Sequence, residues 1–542
     1  MQSSIWKIAS YNPNKKRSNW LALLLAKNRG LASGKKLNEF LHPSFEQILS
    51  VKLTEVDKAV QRVKKAISEG EKIIVYSDYD ADGICATAIM WETLYDLGAN
   101  VMPYVPHRIK EGYGLGKPAI TQLAKSQIKL IITVDHGVTA IEQVKYANEL
   151  NVDVIITDHH VLPKQLPKSY AMVHTTSLCG AGVSWRLSWE IVKKLQSSYK
   201  NILLEKLELA ALATIADLVP LTGANRAIVK LGLEKISQTK RPGIIALMKS
   251  SGISTKIGTY EIGHILAPRI NAMGRIEHAL DSLRLLCAKK QETADQLASL
   301  LTRTNTKRQD LTVKAVNHAM RLVNHKHLIG VISHETYHEG VIGLVASRLA
   351  ESFNRPMIVI SKGEIYSKGS ARSISGFNIV EAIRASSEFL VDAGGHPMAA
   401  GFTIETRHIE IFAQNIRRYA QKFLTDDHLV PIINIECVLG TEDINQNTLA
   451  QIEKFEPYGV GNPQPVFLTR KMLLEDIRTV GADAAHLKLQ VAGLSAIGFN
   501  MGQQKVQLRP GQFVDLVYTL SVDNYNNRGG IQLKVKDLTI NS

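Results

Sequence analysis

The run Ile73-Ile74-Val75-Tyr76, followed almost at once by Asp78-Tyr79-Asp80-Ala81-Asp82-Gly83, decides how this chain is read. β-Branched residues favour strands, and a strand buried on both faces reads as an unbroken apolar run. The acidic string therefore sits at a strand's carboxyl end, where open parallel sheets bind their ligands. Side chains alternate along an extended segment, so Asp80 and Asp82 point the same way and can share one cation. The same grammar recurs where Val154-Ile155-Ile156-Thr157 leads into Asp158-His159-His160, and again at Thr133-Val134-Asp135-His136-Gly137. A further carboxylate, Asp217, stands in the apolar stretch Ala213-Thr214-Ile215-Ala216-Asp217-Leu218-Val219-Pro220. An ionised group in such company needs a cation or a hydrogen-bond network, a buried helix cap or salt bridge being the simpler alternative.

Outward from these strings, apolar spacings of three to four predict an amphipathic helix over 53–69. Helices near 84–97, 117–125 and 140–150 alternate with strands near 101–105, 129–134 and 153–157, the pattern of a parallel sheet covered on both faces. Residues 185–250 read as mainly helical, and 281–323 as one long charged helix between two lobes. A second α/β unit begins at Leu328-Ile329-Gly330-Val331-Ile332 and runs through Met357-Ile358-Val359-Ile360 to Gly394-Gly395-His396. Beyond about 426, short alternating runs at 466–468, 486–491, 513–520 and 531–535 predict a small barrel or sandwich. A chain of 542 residues exceeds what one core usually serves, so several packing units are expected.

Composition narrows the partners. Lys and Arg number 65 against 50 Asp and Glu, a formal charge of +15, which favours polyanions such as nucleic acid unless it reflects only a basic proteome. The cysteines Cys85, Cys179, Cys287 and Cys437 are too scattered for a zinc knuckle or a redox pair, which fits a reducing compartment. Neither a secretory core nor an apolar run of membrane-spanning length is found, so a cytoplasmic protein without membrane association is expected.

His159 and His160, taken singly, would read as packed or capping side chains. With Asp158 at a strand end they read as metal chemistry: mixed carboxylate and imidazole donors suit Mn²⁺ or another first-row ion, and all-oxygen sets suit Mg²⁺ or Ca²⁺. Two such ions about 3.5–4 Å apart activate water for in-line attack on phosphorus and stabilise the departing oxygen.

In order, Asp78-Tyr79-Asp80-Ala81-Asp82-Gly83, Asp135-His136-Gly137, Asp158-His159-His160 and the segment ending at Asp217 resemble the four motifs of the DHH phosphoesterase superfamily, specifically its RecJ-type single-strand exonucleases. Further matching strings are Pro106-His107-Arg108, Glu111-Gly112-Tyr113-Gly114, Ala267-Pro268-Arg269-Ile270-Asn271-Ala272 with Gly274-Arg275, Gly369-Ser370-Ala371-Arg372-Ser373 and Gly394-Gly395-His396-Pro397. Tyr458-Gly459-Val460-Gly461-Asn462-Pro463 resembles the entry to the oligonucleotide-binding barrel of that group.

The resemblance implies an α/β fold with an N-terminal arm (1–52), a parallel-sheet DHH catalytic domain (53–276), a connecting helix (277–325), a smaller α/β DHHA1 domain (326–425) and an OB-fold barrel (426–542). It implies two Mn²⁺ or Mg²⁺ ions held by Asp80, Asp82, Asp135, His159 and Asp217, with Asp82 or Asp135 bridging and His160 against the scissile phosphate. Asp78 is expected to support the loop rather than bind metal. Many superfamily members carry a histidine where this chain has Tyr76, a poor ligand at neutral pH, so one metal site is expected to be weaker or completed by water.

Arg108, Arg275, Ser370 and Arg372 would form a 5′-phosphate pocket, with Asn271 and His396 as further substrate contacts. An isolated Arg is otherwise usually a surface ion pair, and the glycines before His396 are otherwise a turn. Phe455, Tyr458, Tyr518 and Tyr525 could stack bases, although a barrel also needs aromatics in its core. The activity implied is 5′-to-3′ hydrolysis of single-stranded DNA to 5′-mononucleotides in recombination and repair, by a monomer working with a single-strand-binding protein and a RecQ-type helicase. Its rivals are a phosphodiesterase for short RNA or cyclic dinucleotides and a silent single-strand-binding scaffold.

Overall fold

The computed structural model describes residues 4–11, 15, 17–31, 34–108, 110–195, 200–254, 257–523 and 529–541. Two compact units emerge: one from Lys52–Asp217 and Gly232–Pro431, the other from Ser4–Val51, Leu218–Leu231 and the chain from Ile432 onward.

In the first unit, five parallel strands lie in the spatial order Val101–Tyr104, Lys72–Tyr76, Ile128–Val134, Asp153–Asp158, Ala171–His174. The chain winds to one side after Lys72–Tyr76 and to the other from Ile128 on. That reversal opens a crevice at the carboxyl ends of these two strands, the place where doubly wound sheets bind ligands. Asp78, Asp80 and Asp82 leave one of them and Asp135 the other. The fifth strand, Ala171–His174, is missing from the sequence reading because four residues after a Pro- and Lys-containing loop carry too little periodicity.

The helix Ala81–Asp96 starts inside the crevice, is buried along most of its length, and packs against the helices Gly180–Leu195 and Leu207–Ala216. Its far end is pinned by Arg241, whose guanidinium grips the Glu92 carboxylate at 2.8 and 3.0 Å and donates to Glu208 at 2.7 Å. Arg241→Met strips Glu208 of its ion pair and leaves the buried Glu92 only Lys289 at 3.9 Å, and is expected to cost about 3–5 kcal/mol in urea unfolding. Burial pushes the Glu92 carboxyl up, but Arg241 pulls it below its usual value. This contribution is therefore complete above the ordinary glutamate range and is lost as pH falls through the lowered value.

A second sheet in the same unit is mixed, in the order Leu390–His396, Ala399–Glu405, Tyr366–Arg372, Met357–Ser361, Gly330–His334, with only the last pair parallel. The single rod expected over 281–323 is two helices, Leu280–Leu286 and Gln291–Leu322. The break falls at Cys287–Lys290, where Lys290 is extended and caps the longer helix.

The second unit holds a closed barrel of five strands, Phe467–Val480, His486–Val491, Leu494–Gly498, Ile531–Asn541 and Phe513–Val522, the last pairing back to the first. The described residues of 4–51 join this unit. Ile5–Ile8 pairs in parallel with Ile432–Ile435, and Leu21, Leu25 and Phe40 enter the barrel unit's core. Arg226 explains why Leu218–Leu231 belongs here rather than with residues 53–276: it lies 3.7 Å from the Phe40 ring centroid and donates to the carbonyls of Phe40, Glu456 and Pro457. Phe455 and Tyr518 are fully buried, so they are core and not stacking platforms. Tyr458 is half-buried with its hydroxyl on the Ile452 carbonyl, and Tyr525 lies outside the described residues.

Candidate active site

Each acidic side chain in the crevice is set by a local device. Asp80 caps the helix Ala81–Asp96, its Oδ1 accepting from the amides of Asp82 (2.9 Å) and Gly83 (3.0 Å). Asn271, an expected substrate contact, accepts from the amide of Ala81 at 2.7 Å through its Oδ1 and so holds the same helix start. Asp82 is buried and accepts from the amides of Gly180 and Ala181, both at 2.7 Å, at the positive end of the helix Gly180–Leu195.

Asp135 adopts φ +67°, a left-handed conformation that costs about 1–2 kcal/mol and that Asp tolerates better than most residues. Asp217 ends the helix Leu207–Ala216, where the carbonyl end of the dipole disfavours an anion.

These groups converge. His159 Nε2 lies 3.1 Å from Asp135 Oδ1, 3.7 Å from Asp217 Oδ2 and 3.8 Å from Asp82 Oδ2. Three sets bring their donor atoms within 4.8 Å of one another: Asp82, His159 and Asp217; Asp135, His159 and His160; and Asp78, Asp80 and Asp135. Asp78, expected only to support the loop, thus stands with the ligand group. Tyr76 does not. Its ring is buried in the sheet's core, stacked on Tyr104 at 4.7 Å.

No Lys or Arg among the described residues forms an ion pair with Asp78, Asp80, Asp82, Asp135 or Asp217. Burial and mutual repulsion raise Asp82 to about 6 and Asp217 to about 8, and push Asp78 and Asp135 well above the carboxylate range. Burial lowers His159 to about 4, leaving the neutral imidazole a metal needs. Asp135 Oδ1 is moreover buried with no hydrogen-bond donor. Clustered carboxylates, a neutral imidazole and an orphaned oxygen fit divalent cations with mixed N and O ligands.

Gly180 is part of this cradle, because a Cβ there would fall 2.4 Å from Asp135 Oδ1. Gly180→Ala is expected to weaken Mn²⁺ binding ~10-fold or more, read by calorimetric titration.

Asp158 stands outside these three sets. It accepts from the amides of Val138, His159 and His160 and from His160 Nδ1 at 2.7 Å. Burial lowers His160, yet the Asp158 carboxylate more than offsets it and raises the imidazole to about 9. His160 is thus a cation at neutral pH on the wall of a cleft of about 860 Å³ that also contains Asp78, Asp80, Tyr113, Arg384 and His396. His396 stacks on His160 with centroids 6.5 Å apart.

Arg108 lies over the Tyr79 ring at 5.0 Å, and Arg275 donates to the Gly340 carbonyl at 3.3 Å. Arg372 donates to Ser370 Oγ at 3.3 Å. A Cβ on Gly343, at the start of the helix Ile342–Phe353, would meet Ser370 Oγ at 3.1 Å and Arg372 Nη2 at 3.2 Å. Helix start, hydroxyl and guanidinium therefore face one spot, a standard anion arrangement. Sequence reading missed Gly343, since its signal, a lone glycine in a Val-Ile-Gly-Leu run, is ordinary.

Fold and site together define a metal-dependent phosphoesterase of the DHH type. Family models match as the DHH family N-terminal domain over 72–214, the DHHA1 domain over 324–422 and the RecJ OB domain over 435–537. The chain is 37% identical over 540 residues to the single-stranded-DNA-specific exonuclease RecJ of Bacillus subtilis, covering 96% of this chain and 68% of that one. With the Thermus thermophilus RecJ it shares 33% over 488 residues, covering 89% and 70%. The crystal structure of RecJ in complex with Mn²⁺ from Thermus thermophilus superposes with a TM-score of 0.87 at 29% identity, covering 99% of this chain and 80% of that one. The chain belongs to the RecJ family.

Proposed function

We propose that this protein is a single-stranded-DNA-specific exonuclease of recombination and repair that works from the 5′ end and releases 5′-mononucleotides. The observation that carries the reading is the convergence of Asp80, Asp82, Asp135, His159 and Asp217, from four separate parts of the chain, into one cluster with no Lys or Arg ion pair among the described residues.

These five residues, joined by Asp78, would hold two Mn²⁺ or Mg²⁺ ions, and RecJ structures with each ion are known. Bound there, the ions supply an activated water and stabilise charge on the scissile phosphate and the leaving oxygen. The chain's own groups do the rest. Asp82 and Asp135 act as the central carboxylates, and the His160 cation, oriented by Asp158, faces the scissile phosphate and offsets its growing charge. Arg108, Arg275, Ser370 and Arg372 hold the 5′ phosphate, which fixes how far the strand enters and hence removal of one nucleotide at a time. His396 lines the same cleft beside His160 and contacts the backbone of the strand.

A single-strand-binding protein and a RecQ-type helicase are the proposed partners, since the enzyme needs strands already opened. A cytoplasmic monomer is proposed, and no described helix is long and apolar enough to cross a membrane. Digestion of 5′- and 3′-end-labelled single strands with Mn²⁺ tests the polarity. Early release of the 5′ label as mononucleotide is expected; equal attack from both ends, or cutting of blunt duplex at the same rate, contradicts the reading.

A further inference from the structure

His174 is a buried titratable side chain with no part in the chemistry described so far. It closes the edge strand Ala171–His174, directly opposite Asp158 in the neighbouring strand, and only 7% of its surface is exposed. Its Nε2 lies 2.8 Å from the carbonyl oxygen of His160. A carbonyl only accepts, so Nε2 carries the proton and donates it.

The backbone beneath that ring is held on both sides. One side pairs with the strand Asp153–Asp158. On the open edge the His174 amide donates to Thr54 Oγ1 at 3.0 Å, the Thr54 amide donates to the His174 carbonyl at 3.4 Å, and the Met172 amide donates to Glu55 Oε2 at 2.7 Å. Thr54 and Glu55 thus cover the sheet edge where a further strand would otherwise pair. The imidazole is built on a fixed base.

The turn it reaches is fixed on one side only. The amides of His159 and His160 donate to Asp158 Oδ1 at 2.7 and 3.1 Å, and His160 Nδ1 donates to the same oxygen at 2.7 Å. Beyond His160 the chain leaves as Val161 and Leu162, 68% and 43% exposed, so packing does little to hold it. A side chain's direction follows from the two rigid peptide planes that flank its Cα. Asp158 sets the plane before His160, and the hydrogen bond from His174 sets the plane after it. With both set, His160 keeps its place on the cleft wall and His159 Nε2 keeps its 3.1 Å approach to Asp135.

We infer that His174 is a positioning residue of the active site, which locks the His159–His160 turn by donating from Nε2 to the His160 carbonyl. The inference rests on the reading of His159 as a metal ligand and of His160 as the cation facing the scissile phosphate. A histidine that merely filled the end of its strand would be replaceable by any side chain of similar bulk. The inferred role instead needs an N–H at one point.

Three variants separate these roles. His174→Phe and His174→Leu fill space without a donor, and His174→Gln places an amide N–H near the position of Nε2. Each is compared with the wild type by steady-state kinetics on 5′-phosphorylated single strands with Mn²⁺, by calorimetric Mn²⁺ titration without DNA, and by thermal unfolding in chelator. His174→Phe should lower kcat ~10-fold or more with KM within about twofold, weaken Mn²⁺ binding ~10-fold, and melt within a few degrees of the wild type. His174→Leu should follow it, and His174→Gln should recover kcat to within roughly threefold of the wild type. Full activity in His174→Phe and His174→Leu, a loss as large in His174→Gln as in His174→Phe, or a loss confined to variants whose melting temperature collapses overturns the inference. Failure of the underlying reading is distinct: the wild type would then cut equally well in chelator, or His160→Ala would leave kcat unchanged, and the inference would fall with it.

Discussion

Asp135→Asn is expected to lower kcat on single-stranded DNA at least ~1,000-fold, the rate equivalent of about 4 kcal/mol of lost charge stabilisation. The substitution keeps the shape and tolerates the left-handed backbone at this position, since Asn, like Asp, is enriched there. Its effect on stability should reverse with metal. In chelator, the wild type keeps several buried carboxyl groups together, and an amide at 135 takes one ionisable group out of a cluster whose members hold one another's ionisation back. The variant should then melt at the same temperature as the wild type or a few degrees above it, about 2–4 °C per kcal/mol for domains of ordinary size. With saturating Mn²⁺ the order inverts, because ligand binding stabilises only the protein with an intact cage. Thermal unfolding in both conditions checks this. A variant that is less stable in chelator yet keeps the full Mn²⁺ response would contradict the site.

Arg372→Ala should cut the preference for a 5′-monophosphate over a 5′-hydroxyl end by ~100-fold in kcat/KM, because a charge-assisted contact to phosphate in a half-buried pocket is worth about 2–3 kcal/mol. The loss should fall on the phosphorylated strand, with the hydroxyl strand nearly unaffected. Arg372→Lys should recover little of it, since a point charge lacks the planar fork that meets Ser370 Oγ and the phosphate together. Steady-state kinetics on the two strands gives the answer, and an equal loss on both would place Arg372 in folding rather than in end recognition.

The cluster of carboxylates and imidazole was legible in the sequence because its geometry is local. A strand, a carboxyl end and an acid are contiguous at Tyr76–Asp82, at Val134–Asp135 and at Thr157–His160, so reading each strand places each donor at the same sheet edge. Asp217 was legible for a different reason, an acid stranded among apolar residues. What sequence could not give is set by contacts distant along the chain. Asp78 joins Asp80 and Asp135 only through the turn that Asp80 caps. Asn271 acts on the Ala81 amide across 190 positions. Aromatics fail similarly: Phe455 and Tyr518 carry the same letters whether they stack bases or fill a core, and here they fill one. The residues at 218–231 look continuous with the catalytic helices, yet Arg226 fastens them to Phe40 and Pro457.

Anomalous diffraction from crystals soaked in Mn²⁺ tests the central claim most directly. The account predicts two manganese peaks in the crevice, with Asp80, Asp82, Asp135, His159 and Asp217 supplying the ligands. Manganese bound elsewhere, or held there with His159 or Asp217 beyond coordinating reach, would contradict it.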